Sequence, residues 1–230
     1  MTKITPARDA ILGALAALSA QLVRTPEMIA AGARELLLEP EVVRPELPLA
    51  DVAESFMQRV TGPKVGATVQ RIATMADLPT AVARHLSSCG LASHVAVQPC
   101  ALLQALDWAG AGLVKRNEID DGTAIGLALW GIAETGSLVF HSAPDMPILL
   151  NFLPSTHIVA LPASCIVPDL ETYAAAARIC GDPAPRNACL ITGASGTTDI
   201  EGSLVKPAHG PRELHIIVVD HIEARDAVQT

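Results

Sequence analysis

The fold is decided by the stretch Gly193–Asp220, which reads GASGTTDIEGSLVKPAHGPRELHIIVVD. Its last part, Leu214–Asp220, is a mostly apolar run of the kind that forms a buried strand in a sheet covered by helices. The part before it contains a loop with two early glycines, which let backbone N–H groups approach a ligand. The stretch therefore predicts the end of an α/β domain and a share of a small-molecule or anion-binding site.

Upstream of this stretch, predicted strands alternate with predicted helices. The strands are Gly66–Ile72, His94–Val97, His157–Leu161 and Ala188–Thr192, and the helices include Asp77–Cys89 and Asp169–Ile179. Such alternation predicts βαβ units, and hence a mostly parallel sheet with flanking helices. We expect this α/β domain to span residues 61–230. Residues 1–60 are expected to form an N-terminal helical extension with a proline-rich connector at Leu38–Leu49.

Composition excludes several functional classes. Of the 230 residues, 50% are hydrophobic but only 3% are aromatic, so the core must consist of Ala, Val, Leu and Ile. The net charge is −8 and there is no basic stripe, which argues against nucleic acid. No apolar run reaches the ~18–20 residues of a membrane span. No signal peptide is predicted, and five cysteines without a CxxC pair indicate reduced thiols, so we expect a cytoplasmic protein.

The first candidate site is the loop that follows the strand Ala188–Thr192. Its candidate ligand-binding residues are Gly193, Ser195, Gly196, Thr197, Thr198 and Asp199. We expect the loop at the carboxyl end of a parallel strand, where α/β sheets usually bind ligands. The alternative is local, because Thr198–Glu201 also fits a capping box for one helical turn.

The second candidate is Glu134, which lies with Thr135 and Gly136 between two apolar runs. Such a carboxylate could be a general base, a nucleophile or a hydrogen-bond anchor. The alternative is the polar turn of an antiparallel hairpin.

The third candidate is His209, in a glycine–proline turn before the last strand. If these loops converge, Glu134, Asp199, Glu201 and His209 set the polarity of one pocket. The spacing of His157, His209 and His215 does not predict a metal site.

Four segments in register resemble the LUD domain, specifically the lactate utilisation protein C family. They are GIAETGS (Gly131–Ser137), LPSTHIVAL (Leu153–Leu161), IVPDL (Ile166–Leu170) and the stretch Ser195–Asp220. The resemblance covers roughly residues 60–222. One departure lies inside it, because family members commonly have arginine where this chain has Gly196, and arginine is a bidentate anion clamp.

The resemblance implies a fold similar to the ribose-5-phosphate isomerase, glucosamine-6-phosphate deaminase and CoA-transferase group. It also implies a non-redox subunit in the oxidation of L-lactate to pyruvate, beside partner proteins that carry iron–sulfur centres. This subunit would bind a small anionic ligand or dock those partners, and no particular cofactor follows for it. The apolar helix at residues 7–20 predicts self-association, partner docking or packing into the core.

The alternative function is that of an independent enzyme of the isomerase or CoA-transferase type. CoA transferases of this fold group use a glutamate nucleophile at a Glu-x-Gly turn, and Glu134-Thr135-Gly136 looks similar. Glu134 would then be the nucleophile or the base.

Overall fold

The strand that ends the quoted stretch is an interior strand of the main sheet, next to its edge strand. Residues Glu213–His221 form it, and its side chains from Leu214 to Val219 are buried. It lies between two parallel neighbours, Thr68–Thr74 and Thr156–Pro162. A strand buried on both faces reads as an apolar run without alternation, which is why the sequence pattern predicts it.

The structure is a computed structural model that describes residues 6–21, 25–38, 51–116, 118–179, 186–198, 204–205 and 207–222. Its helices are α1 (Pro6–Gln21), α2 (Pro26–Leu38), α3 (Val52–Thr61), α4 (Leu78–Ser88), α5 (Ala101–Gln104) and α6 (Leu170–Ile179). Its strands are β1 (Thr68–Thr74), β2 (His94–Val97), β3 (Val114–Arg116), β4 (Thr123–Leu127), β5 (Trp130–Ile132), β6 (Ser137–His141), β7 (Thr156–Pro162), β8 (Ile166–Val167), β9 (Ala188–Ile191), β10 (Thr197–Thr198), β11 (Leu204–Val205) and β12 (Glu213–His221).

The main sheet has six strands in the order β1-β12-β7-β4-β2-β3, and all of its pairings are parallel. A second sheet has the order β8-β5-β6-β9, and β10 and β11 form a two-stranded sheet. The α/β class predicted from the sequence is confirmed.

Each face of the main sheet carries its own apolar core. On one face Ile158 and Ile217 pack in a cluster with Leu78, Leu86 and Trp108, which come from α4 and the segment after α5. On the other face the cluster joins side chains of the main sheet, α3 and β6, and includes Phe56, Val60, Phe140, Val159 and Val218. Burying each such side chain contributes about 1.5–3 kcal/mol.

The chain divides into the units Met1–Glu46 and Leu47–Thr230. In the second unit α3 begins at the predicted cap, where Asp51 Oδ1 accepts hydrogen bonds from the backbone of Ala53 and Glu54. This helix packs within the second unit, although the sequence assigns residues 1–60 to an extension. The division into two domains stays a prediction, and the connector at residues 39–50 lies outside the described residues.

In the first unit, α1 coincides with the predicted helix and leaves the apolar side chains of Ile11, Leu12 and Leu15 exposed. On α2, Met28 and Ile29 are exposed as well. None of the described helices is long and apolar enough to cross a membrane.

Candidate functional site

The turn that carries Glu134 closes an antiparallel hairpin. Strands β5 and β6 pair through Gly131 and Leu138, and Gly136 closes the turn with a positive φ of 72°. Glu134 is half-buried, and its backbone N–H donates to the carbonyl of Pro168 at 2.9 Å. The hairpin expected as the alternative is confirmed. A chemical role for Glu134 stays a prediction.

A chain of hydroxyl groups joins this turn to the loop after β9. The Ser137 Oγ lies 2.7 Å from the Thr135 Oγ1 and 2.7 Å from the Thr192 Oγ1. Ser137 is buried, and β6 pairs with β9 directly beside it, because Leu138 is opposite Ile191. Thr135 in the turn and Thr192, which immediately precedes the Gly193 loop, therefore lie close together.

The glycines of these two loops pack against one residue, Val65. A Cβ on Gly136 would lie 3.2 Å from the Val65 Cγ2, and a Cβ on Gly193 would lie 2.2 Å from the Val65 carbonyl oxygen. Gly193 has a φ of 87°, a left-handed conformation that favours glycine. Since Val65 lies just before β1, the contact is at the amino-terminal edge of the main sheet.

The expected position of the Gly193 loop, at the carboxyl end of a parallel strand, is wrong. Strand β9 belongs to the second sheet and pairs antiparallel with β6. Its short apolar run is equally compatible with either direction, so the sequence pattern alone favours neither. The loop lies at the edge of the main sheet opposite the one where α/β folds usually bind ligands.

The His209 turn lies at that same amino-terminal edge. The backbone N–H of Ala208 donates to the Ser195 carbonyl at 2.9 Å, and the N–H of Arg212 donates to the Ser155 carbonyl at 2.8 Å. His209 is exposed, as are Ser195 and Gly196. Among the described residues, no hydrogen bond joins the side chains of His209 and Glu134.

Two of the predicted site carboxylates, Asp199 and Glu201, belong to the part of the loop that the structure does not describe. Thr197 and Thr198 form β10 and pair with Val205 and Leu204. Asp199 and Glu201 lie outside the described residues, so the predicted pocket of Glu134, Asp199, Glu201 and His209 stays a prediction.

At the opposite edge, the carboxyl ends of β2 and β3 border a cleft of about 320 Å³. This volume is at the lower end of the ~300–1,000 Å³ typical of ligand sites. Two cationic side chains and one amide line it beside an apolar wall, and the lining residues are Ala96, Val97, Pro99, Gln104, Lys115, Arg116, Ile119, Pro147 and Leu150. Sequence reasoning missed this cleft. The available signal was a pair of adjacent cations at the end of a short apolar segment.

Two fully buried polar side chains lie near this cleft without hydrogen-bond partners among the described residues. They are Asn151, beside the cleft residue Leu150, and His157 on β7. Burial lowers the pKa of His157 to about 4. The neighbouring Gln98 is satisfied, because its Oε1 accepts from the backbone N–H of Leu127 at 2.7 Å.

The described cysteines are Cys89, Cys100, Cys165 and Cys189, and none of them forms a disulfide. Burial raises the pKa of Cys100 and of Cys165, which disfavours the reactive thiolate. Within the described ranges, no group of three or more His, Cys, Asp or Glu side chains could hold a metal ion.

Comparison with known proteins finds similarity to one family. Residues 106–219 match the family described as the LUD domain. The chain is 29% identical over 214 residues to lactate utilization protein C of Deinococcus radiodurans, a match covering 86% of this chain and 94% of that protein. It is 36% identical over 92 residues to lactate utilization protein C of Bacillus licheniformis, covering 39% and 38%. With the first curated relatives, the matched segment spans only 38–42% of their length.

A solved structure has the same fold. It is a DUF162 family protein from Deinococcus radiodurans, which matches with a TM-score of 0.50 and 24% identity. The match covers 76% of this chain and 99% of that one.

Proposed function

Since this chain carries a LUD domain and is related to the lactate utilisation protein C family, we propose that it acts in the utilisation of L-lactate. In this role it is a non-redox subunit of a system that oxidises lactate to pyruvate, and it binds a small anionic ligand or docks iron–sulfur partner proteins. The match to the Deinococcus protein over 94% of that protein's length carries the proposal.

Partner docking has support in the exposed apolar side chains of α1. Ile11, Leu12 and Leu15 are between 49% and 61% exposed, and clustered exposed apolar side chains are typical of interaction surfaces. A second copy of the chain is an alternative occupant of this surface. We expect the protein to work in the cytoplasm.

The proposed loop site remains the set of residues predicted from the sequence. Its support is the hydroxyl chain Thr135–Ser137–Thr192, which joins the two loops at 2.7 Å steps. The proposed ligand-binding residues are Thr135, Gly136, Gly193, Ser195, Gly196, Thr197, Thr198 and Asp199, with Glu134, Glu201 and His209 as the proposed catalytic groups.

Deletion of the gene is expected to abolish growth on L-lactate as the sole carbon source, because a required subunit of the oxidising system would be missing. Growth on pyruvate, the product, should be unchanged and serves as the control. Growth should return when the intact gene is supplied on a plasmid. Normal growth of the deletion strain on lactate, in a host without a paralogue, would contradict the proposal.

The second candidate function is acyl transfer by Glu134. The observation that favours it is the Glu-Thr-Gly turn, in which Gly136 has a φ of 72° and Glu134 remains half-buried. In a CoA-transferase mechanism the Glu134 carboxylate attacks the acyl-CoA thioester and CoA leaves as a thiolate, which gives an acyl-glutamyl anhydride. The CoA thiolate then attacks the Glu134 carbonyl and releases the free carboxylate, which gives a glutamyl-CoA thioester that hydroxylamine converts to a hydroxamate.

Incubation with acyl-CoAs followed by hydroxylamine is expected, for this second function, to leave a hydroxamate on Glu134 that mass spectrometry detects. Glu134→Gln should abolish the adduct, because its amide is not a comparable nucleophile. The exposed Glu54→Gln is the matched control and should retain the adduct. A wild-type protein without an adduct across a panel of acyl-CoAs would eliminate this function.

A further inference from the structure

The cleft at the carboxyl ends of β2 and β3 combines cationic groups with an apolar wall. Lys115 and Arg116 supply the cations in a chain whose net charge is −8. Ile119, Pro147 and Leu150 line the same cleft and supply apolar surface. This combination suits a ligand with an anionic head and a short apolar body, because each part meets a complementary surface.

Both cations keep hydrogen-bond donors for a ligand. The Arg116 Nη1 lies 2.5 Å from the Asp120 Oδ2, and the Lys115 Nζ lies 3.3 Å from the Gln104 Oε1. A guanidinium has five N–H donors and an ammonium has three, so these contacts use only part of each group. The side chains of Arg116 and Asp120 are 39% and 35% exposed, and exposed ion pairs contribute little stability. An incoming carboxylate can therefore compete with Asp120.

Gln104 lines the cleft, and its amide connects the end of β2 with Lys115. Its Nε2 donates to the carbonyls of Val97 at 3.3 Å and of Gln98 at 3.0 Å, where β2 ends. Its Oε1 accepts from Lys115, so one amide holds both the strand end and the ammonium group. The Lys115 donor is thus held at the cleft before a ligand arrives, which lowers the entropy lost on binding.

Two buried polar side chains that lack partners in the described part of the chain, Asn151 and His157, lie close to the cleft residue Leu150. Leu150 lines the cleft, and the next residue is the fully buried Asn151, whose amide atoms both lack partners among the described residues. Leu150 Cδ2 and His157 Nε2 lie 3.3 Å and 2.9 Å from the position that a Cβ on Gly126 would take.

We propose that this cleft is the binding site of a small organic carboxylate, a 2-hydroxy or 2-oxo acid with a short apolar chain. Arg116 and Lys115 bind the carboxylate, and the wall of Ile119, Pro147 and Leu150 contacts the alkyl group. The proposal rests on the proposed function, because lactate and pyruvate belong to this class.

Titration calorimetry of the full chain with L-lactate and with pyruvate tests the site. The double variant Lys115→Gln, Arg116→Gln is expected to weaken binding at least about tenfold, since it removes the charge-assisted hydrogen bonds to the carboxylate. Both side chains are exposed, so folding should not depend on them. Arg186→Gln removes an exposed charge just before β9 and is the matched control, with unchanged affinity expected.

Acetate and inorganic phosphate are the competing probes. Weaker binding of both supports a site for 2-hydroxy or 2-oxo acids, whereas equal or tighter binding of either overturns that assignment. The proposal also fails if the double variant binds lactate and pyruvate like the wild type, or if the wild type binds neither. Growth of the deletion strain on lactate separately decides the proposed function, so that failure of the cleft and failure of the function are distinguishable.

Discussion

Acidification from pH 7 to pH 4 is expected to lower the free energy of unfolding by roughly 6 kcal/mol, because two buried histidines are neutral in the folded protein. His157 is fully buried, and burial lowers its pKa to about 4. Burial, with a smaller contribution from the charge of His85, lowers the pKa of His215 to about 4 as well. The ordinary value is 6.5 for both.

The sign follows from proton binding. Between pH 6.5 and about 4 the unfolded chain binds a proton at each histidine and the folded chain does not. The free energy of unfolding therefore decreases as the pH is lowered. The stabilisation that these two neutral histidines provide is fully present above pH 6.5 and is lost by about pH 4. Each shift of about 2.5 pKa units corresponds to roughly 3 kcal/mol.

Urea unfolding at a series of pH values measures this loss. His157→Leu is expected to remove about half of the pH dependence, since one of the two titrating groups is gone. Exposed His94→Gln is the control, and its curve should follow the wild type. A wild-type unfolding free energy that stays constant from pH 7 to pH 4.5 would rule out neutral buried histidines.

The surroundings of His215 explain why it resists protonation. Its ring stacks on His85 with centroids 3.6 Å apart, and its Nδ1 lies 2.7 Å from the Thr68 Oγ1. Its Nε2 is buried without a partner among the described residues. Burial also lowers the pKa of His85, while the charge of Glu213 opposes that shift. A proton on either ring would place a positive charge next to the stacked ring of the other histidine.

Gly193→Ala is expected to destabilise the protein by roughly 3–5 kcal/mol. The φ of 87° is unfavourable for alanine, and the new Cβ would lie 2.2 Å from the Val65 carbonyl oxygen. This neighbour is backbone rather than a flexible side chain, so the loop or the segment before β1 must move. The measurement is the urea midpoint at constant m-value.

Gly66→Ala separates the two causes. Gly66 has a similar φ of 70°, but a Cβ there meets no atom within 4 Å. Gly66→Ala should lower the free energy of unfolding by only about 1–2 kcal/mol, which is the contribution of the left-handed backbone. The difference between the two variants is the contribution of the contact with Val65. Equal losses would show that this contact does not constrain the loop.

The sequence pattern predicts the elements better than their arrangement. The buried run of β12, the cap at Asp51 and the hairpin at Glu134 are local, since each depends on neighbouring residues. The strand order β1-β12-β7-β4-β2-β3 depends on contacts between distant segments, which no periodicity encodes. The antiparallel pairing of β9 is a case of this kind, and it places the Gly193 loop at the unexpected edge.

The candidate site shows the same division. Glycines Gly136 and Gly193 stand out in the sequence, but their shared neighbour Val65 is far away in the chain. The adjacent Lys115 and Arg116 form no recognisable motif in the sequence. Only the fold brings Pro147 and Leu150 to the same cleft. A cleft between distant segments leaves no motif in the sequence.

The position of β12 between β1 and β7 has a consequence for biosynthesis. Among the described strands, β1 pairs only with β12, so Thr68 cannot pair until His215, 147 positions later, has emerged from the ribosome. Until then the facing edges of β1 and β7 are unpaired, and unpaired edges invite aggregation. Such non-local pairing is slow. The nascent chain therefore depends on the last strand to complete its sheet, and chaperones that cover strand edges would act before that point.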